Sequence, residues 1–248
     1  MDQHARMQRR WGTILFLIGF FIGAWLLGGV TWANLEASLF DSGKVGDNLT
    51  TLRCSQFITP DEAAYARLTL QNPLDRPIKR FVRWRVAQRH LLLVDETKES
   101  VAQAPGERLT LEKAFSPNMG VFGGRFLMVS VYVSSAYPLA ALEGNCGAWI
   151  VDIPFLDGIH ILVLGGLFAV LGMTLGFWLR YRNRPPEQSS EGALLAMLAF
   201  FVIGMVAIGL FAWWVVAGVM FLLMWLTLAL WVFQRIDERW LQVKPPID

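Results

Sequence analysis

This sequence is poor in the residues that bind metals or attack substrates. It has two cysteines, Cys54 and Cys146, and three histidines, His4, His90 and His160, and they do not fall at zinc-ligand spacing. No G-x-S-x-G, H-E-x-x-H, Walker A or Rossmann fingerprint occurs. The glycine-rich "GVFGG" at 120–124 is followed by neither a lysine nor a helical pattern, so it reads as a loop. No catalytic residue, metal or cofactor is therefore assigned, and the chain is read as not an enzyme.

Charge is the second scarcity. Only 17% of the 248 residues are charged, 54% are hydrophobic and the mean hydropathy is +0.43, too apolar for an ordinary soluble domain of this size. The net charge of +2 implies no strongly acidic partner. Three stretches contain no Asp, Glu, Lys or Arg: 11–33, 158–179 and 193–234. The first two each match a bilayer core of roughly 30 Å. The third, at 42 residues, is about twice that length as one helix, so it must fold back, with "GLFAWWVVAG" at 209–218 setting Trp213 and Trp214 at the interface. Four transmembrane helices are expected, at 11–33, 158–179, 193–213 and 214–234.

Basic residues set the orientation. Arg6, Arg9 and Arg10 precede the first span, Arg180, Arg182 and Arg184 follow the second, and Arg235, Arg239 and Lys244 lie in the tail. By the positive-inside rule the N-terminus 1–10, the loop 180–192 and the tail 235–248 are cytoplasmic, which leaves 34–157 on the far side of the plasma membrane. The first span could instead be a secretory signal ending at Thr31-Trp32-Ala33, and cleavage would leave three spans. Its apolar run of about 22 residues exceeds the 7–15 of a signal core, so a retained anchor is expected.

The segment 34–157 holds both cysteines, one near each end, which predicts a Cys54–Cys146 disulfide in an oxidising compartment. Between them "AYARLTL", "IKRFVRWRV", "RLTLEKAF" and "RFLMVSVYV" alternate or run β-branched, and "QNPLDRP" and "APGE" read as turns. The economical fold is an all-β antiparallel sandwich of about seven strands inserted between the first two helices. It lacks the marks of a true immunoglobulin domain, since position 144, two before the second cysteine, is Gly.

Six basic residues from Arg76 to Arg89 flank Phe81 and Trp84. In a strand, Ile78, Val82, Trp84 and Val86 face the core together with Arg80, while Lys79, Phe81, Arg83 and Arg85 face outward. Outside the cytoplasm such a stripe meets no nucleic acid. The segment carries 13 basic against 14 acidic residues, so an acid such as Glu112 can pair with it across strands, leaving a plain solvated face. The other expectations are contact with protein or with lipid headgroups, and one feature favours a protein interface. In "RFLMVSVYV" the residues opposite the core set are Phe126, Met128 and Tyr132, and beside Phe81 and the arginines they have interface composition.

Gly19 with Gly23, and Gly172 with Gly176, form G-x-x-x-G pairs suited to close helix packing. The expected partners are the lipid bilayer and other membrane protein subunits. The function expected is a non-catalytic membrane subunit that scaffolds, stabilises or docks a larger complex. Two alternatives stand beside it. In topology alone the chain resembles exporter-type permease components that work with a cytoplasmic ATPase. His160, the one ionisable group near a span, could instead ligate a haem or pigment in an electron-transfer subunit.

Overall fold

In their described residues the charge-free stretches are helical except at Trp213, and residues 211–212 of the expected turn lie outside the described residues. A computed structural model describes residues 3–40, 46–182, 189–210 and 213–243, with α1 at Gln3–Leu39, α2 at Gly158–Arg182, α3 at Ser189–Leu210 and α4 at Trp214–Val243. In hydrocarbon a helix satisfies its backbone N–H and C=O groups internally, which is the condition these apolar runs meet. Arg6–Leu39, Gly158–Arg182 and Trp214–Phe233 are long and apolar enough to cross a membrane, whereas the described apolar part of α3, Leu195–Met205, is shorter. Arg184 and Lys244, counted above among the basic flanks, lie outside the described residues. α1 does not end at residue 33 as expected. Its 37 residues rise roughly 55 Å, well beyond one bilayer core.

The chain divides into two compact units, Met1–Gly28 with Leu164–Asp248, and Gly29–Val163. In the first, α1 and α2 run antiparallel with their backbones touching. A Cβ on Gly176 would lie 2.4 Å from Phe16 N, and one on Gly19 would lie 2.7 Å from Ala169 O. Phe16 and Phe20 of α1 then pack with Leu195, Leu198, Met205 and Met224 of α3 and α4.

Among the described residues the second unit holds nine strands. β4 (Ala64–Gln71), β7 (Arg108–Phe115) and the two-residue β2 (Arg53–Cys54) form an antiparallel three-stranded sheet in the order β2-β4-β7. β5 (Ile78–Gln88), β6 (His90–Gln103), β8 (Phe126–Val133) and β9 (Leu142–Ile150) form the larger sheet, joined by β1 (Asp47–Asn48) and β3 (Phe57–Ile58). β1 and β3 both pair parallel to β9, so the six-stranded sheet is mixed, where an antiparallel one was expected. The two short segments that follow α1 run in the direction of the last strand, and no local period reveals that.

The sheets share one core. Val82 and Trp84 of β5 and Leu127 and Val131 of β8 meet Leu68 of β4 and Phe115 of β7. Each such buried side chain contributes roughly 1.5–3 kcal/mol of transfer free energy. Cys54 on β2 is disulfide-bonded to Cys146 on β9, Cα–Cα 5.9 Å, which ties one sheet to the other. β6 escapes sequence reading for a physical reason: residues 93–100 are exposed on both faces, so no alternation is written into them. As an edge strand it carries Asp95, Glu96, Lys98 and Glu99, charges that oppose edge-to-edge pairing.

Candidate interaction surface

Register assembles the face of the large sheet that points away from the core. Arg83 on β5 lies opposite Lys98 on β6 and Tyr132 on β8, and Tyr132 lies opposite Glu143 on β9. The next row is Glu96, Arg85, Ser130 and Asn145. Further along, Met128 faces Gly147 and Phe126 faces Trp149. Residues directly opposite in a ladder share a face, so these rows are one surface.

α1 covers part of it. Gly29, Ala33, Ala37 and Phe40 recur at helix period, and β9 presents Asn145, Gly147 and Trp149 beneath them. A Cβ on Gly147 would fall 2.1 Å from Ala33 O, and one on Gly29 would overlap the Trp149 ring. Four or five helix residues rise roughly 7 Å, as do two strand residues, so helix and strand stay in step. Between β1 and β3 the outer edge of β9 has no strand partner, and there Gly147 N donates to Asn34 Oδ1 at 3.2 Å. Asn34 Nδ2 in turn donates to Val30 O at 2.9 Å, and Asn145 Nδ2 to Phe40 O at 2.9 Å. Met128 is fully buried in a cluster with Ala37, Phe40, Ala87 and Val121.

The remainder of the face is open and basic. Phe81 is 57% exposed, Lys79 is exposed, and Arg83 and Arg85 are half-buried. Glu96 sits among three cations: Lys98 Nζ at 2.9 Å, Arg83 Nε at 3.7 Å and Arg85 Nε at 3.7 Å. The hydrogen bond from Lys98, then the charges of Lys98, Arg83 and Arg85, hold its carboxyl below the ordinary value of 4.5 against an opposing desolvation effect. The Arg83 guanidinium lies 5.5 Å from the Tyr132 ring centroid, a cation–π arrangement.

The seven residues read from sequence as an interface are thus divided. Lys79, Phe81, Arg83, Arg85 and Tyr132 share the open area. Met128 is beneath α1, and Phe126 is half-buried with its ring 6.4 Å from that of Trp149. Glu112 does not answer the stripe: it is on β7 in the other sheet, where it accepts from Arg67 at 2.6 and 2.9 Å. Its place as counter-ion is taken by Glu96, hidden in the strand that lacks a pattern.

Among the helix glycines, Gly19, Gly172 and Gly176 line the α1–α2 seam, and a Cβ on Gly23 would meet only side chains, at 3.4 and 3.5 Å. The residue opposite Gly176 is Gly12, seven positions before Gly19, a spacing the G-x-x-x-G pattern overlooks. His160 is exposed on the first turn of α2, its Nδ1 3.3 Å from Asp157 Oδ2. Among the described residues no three His, Cys, Asp or Glu side chains gather as a metal-binding group.

The start of α2 is held by a residue that sequence reading passes over. Glu62 Oε2 accepts from Gly158 N at 2.7 Å, and from Thr59 N and Oγ1 at 2.8 and 3.0 Å. A carboxylate there satisfies an orphan helix N–H and opposes the positive end of the helix dipole.

Comparison with protein-family models found no match, and no curated protein matched. Among solved structures, the chain is similar to a Paenibacillus sp. cycloisomaltooligosaccharide glucanotransferase complexed with cycloisomaltoheptaose, with 11% identity over 44% of this chain and a TM-score of 0.33. It is also similar to a Listeria innocua beta-glucosidase in complex with glucose, with 14% identity over 40% of this chain and a TM-score of 0.25. The matched regions span 14% and 16% of those two chains, and likeness of this degree establishes neither fold nor activity.

Proposed function

We propose that the chain is a non-catalytic integral membrane subunit that scaffolds, stabilises or docks a larger membrane complex. Four helices span the plasma membrane with both termini cytoplasmic, and residues 34–157 form an extracytoplasmic β-sandwich domain. One observation supports the docking role above the others. Phe81 stands exposed among Lys79, Arg83 and Arg85, beside Tyr132, with Glu96 ion-paired to Arg83, Arg85 and Lys98. Exposed aromatics and arginines are enriched where proteins meet, and they supply most binding hot spots.

The test is extraction of the chain from its native membrane in mild detergent, then native electrophoresis and mass spectrometry of the band. The wild type migrates as a defined assembly. Phe81→Glu combined with Arg83→Glu weakens that assembly at least about tenfold, the loss expected from disrupting a hot spot of roughly 1.4 kcal/mol or more. A wild-type chain that migrates alone would overturn the reading.

A further inference from the structure

Among the described residues three non-glycine residues have positive φ: Arg89 at 52°, Phe122 at 51° and Phe155 at 68°. Such backbone is uncommon, and for a bulky aromatic it is a true outlier that needs a compensating interaction. All three are at one end of the sheet unit. Arg89 is the tip of the β5–β6 hairpin, and its N donates to Met119 O at 3.1 Å. Phe122 is in the "GVFGG" loop immediately after Met119. Phe155 is between β9 and α2, three residues before the first residue of α2.

Rings mark the same end. Phe122 is 6.2 Å from Phe126, Phe126 is 6.4 Å from Trp149, and Trp149 is 5.7 Å from Phe57. Trp149 lies against Gly29 of α1, and Phe57 O lies where a Gly158 Cβ would be. This is therefore the end at which α1 and α2 join the sheet unit. Yet Phe122 is 47% exposed and Phe155 fully exposed. At this end is a cleft of about 460 Å³ whose lining includes Arg89, Asn118, Pro60, Ile150 and, next to Phe122 in the chain, Gly123 and Gly124. Arg125 is exposed on the same loop, and no ion pair among the described residues involves Arg89 or Arg125.

The geometry points to a phospholipid-binding end: Phe122 and Phe155 enter the interfacial layer of the adjoining leaflet, and Arg89 and Arg125 hold headgroup phosphate at the cleft. The inference rests on the membrane-spanning reading above. Gly29 of α1 and Gly158 of α2, which meet this end within the sheet unit, continue in sequence into the first two apolar runs, aromatic rings favour the bilayer–water boundary, and a guanidinium fork matches phosphate. Compensation for the exposed, strained phenylalanines then comes from lipid.

The test uses the full-length chain, disulfide intact, in vesicles of phosphatidylcholine and phosphatidylglycerol. Single cysteines replace Phe122, Phe155, Phe168 in α2, or Tyr137, which is 87% exposed in the loop at the opposite end of β8 and β9. Each carries an environment-sensitive fluorophore, read by quenching from nitroxide-bearing lipid. Labels at 122 and 155 should be quenched about threefold more than at 137, in keeping with roughly 5–10 Å of insertion. Quenching at 168 but not at 122 or 155 overturns the inference and leaves this end to a protein partner. No quenching at 168 overturns the membrane reading itself. Nitroxide on phosphatidylglycerol should quench position 122 more than nitroxide on phosphatidylcholine, and Arg89→Gln with Arg125→Gln should abolish the difference. Equal quenching by the two lipids in the unmutated background overturns the phosphate role.

Discussion

Arg80 points inward between Ile78 and Val82 and is 2% exposed, and its burial lowers the guanidinium pKa from its ordinary value. It stays there because Nε donates to Ser134 O at 2.8 Å and Nη2 to Ala140 O at 2.7 Å. Alternation in the sequence predicts its direction, but the carbonyls that receive it are 54 and 60 residues away. Arg80→Ala strands both acceptors, so a loss of roughly 3 kcal/mol is expected, lowering the thermal midpoint of the detergent-solubilised chain by about 6–10 °C. Glu96 gives a pH signature. Its folded carboxyl titrates below 4.5, so the native state favours the ionised form, and its contribution is complete above that pH. That contribution fades as pH falls through 4.5 toward the lower folded value. Thermal midpoints followed from neutral to acid pH should fall less steeply in Glu96→Gln, and an unchanged slope would remove Glu96 as the centre of the cluster.

Elements differ in how plainly their sequences announce them. β5 and β8 are legible because one face of each is apolar and buried, whereas β6 has lost the pattern by lying beyond the covered part of the sheet. The continuation of α1 past residue 33 was hidden differently. Ala33, Ala37 and Phe40 keep the helical period, but a charge-free run ends at 33 and invites the boundary there. Glycines in the helices show the same limit. Their spacing predicts that a close approach exists, and helix rotation decides which of them face the partner. Gly176→Val drives side-chain atoms into the Phe16 backbone and should cost about 2–3 kcal/mol, whereas Gly166, with nothing within 4 Å of its Cβ direction, should accept Val within about 0.5 kcal/mol. Thermal midpoints of the two variants in the same detergent check this.

In the sheet unit, the Cys54–Cys146 bond is the long-range covalent tie, across a sequence separation of 92. The chain-entropy account gives about 4–5 kcal/mol for a loop of this size, so Cys54→Ala with Cys146→Ala should unfold the sheet unit far earlier in urea while the helices remain. Circular dichroism and buried Trp84 fluorescence would follow the two separately. What is local could be read from the chain before any fold was known: the charge-free runs, the two cysteines around one segment, and the inward and outward faces of β5 and β8. These depend on composition and short periods, which a residue carries with it. The tertiary structure decided the rest. It placed α1 over Met128 and left Phe81 open, paired Arg83 and Arg85 with Glu96 while Glu112 took Arg67, and brought Arg89, Phe122 and Phe155 to one end. Each of those outcomes depends on register or packing between separate segments, in places more than 100 residues apart, and no local period encodes it.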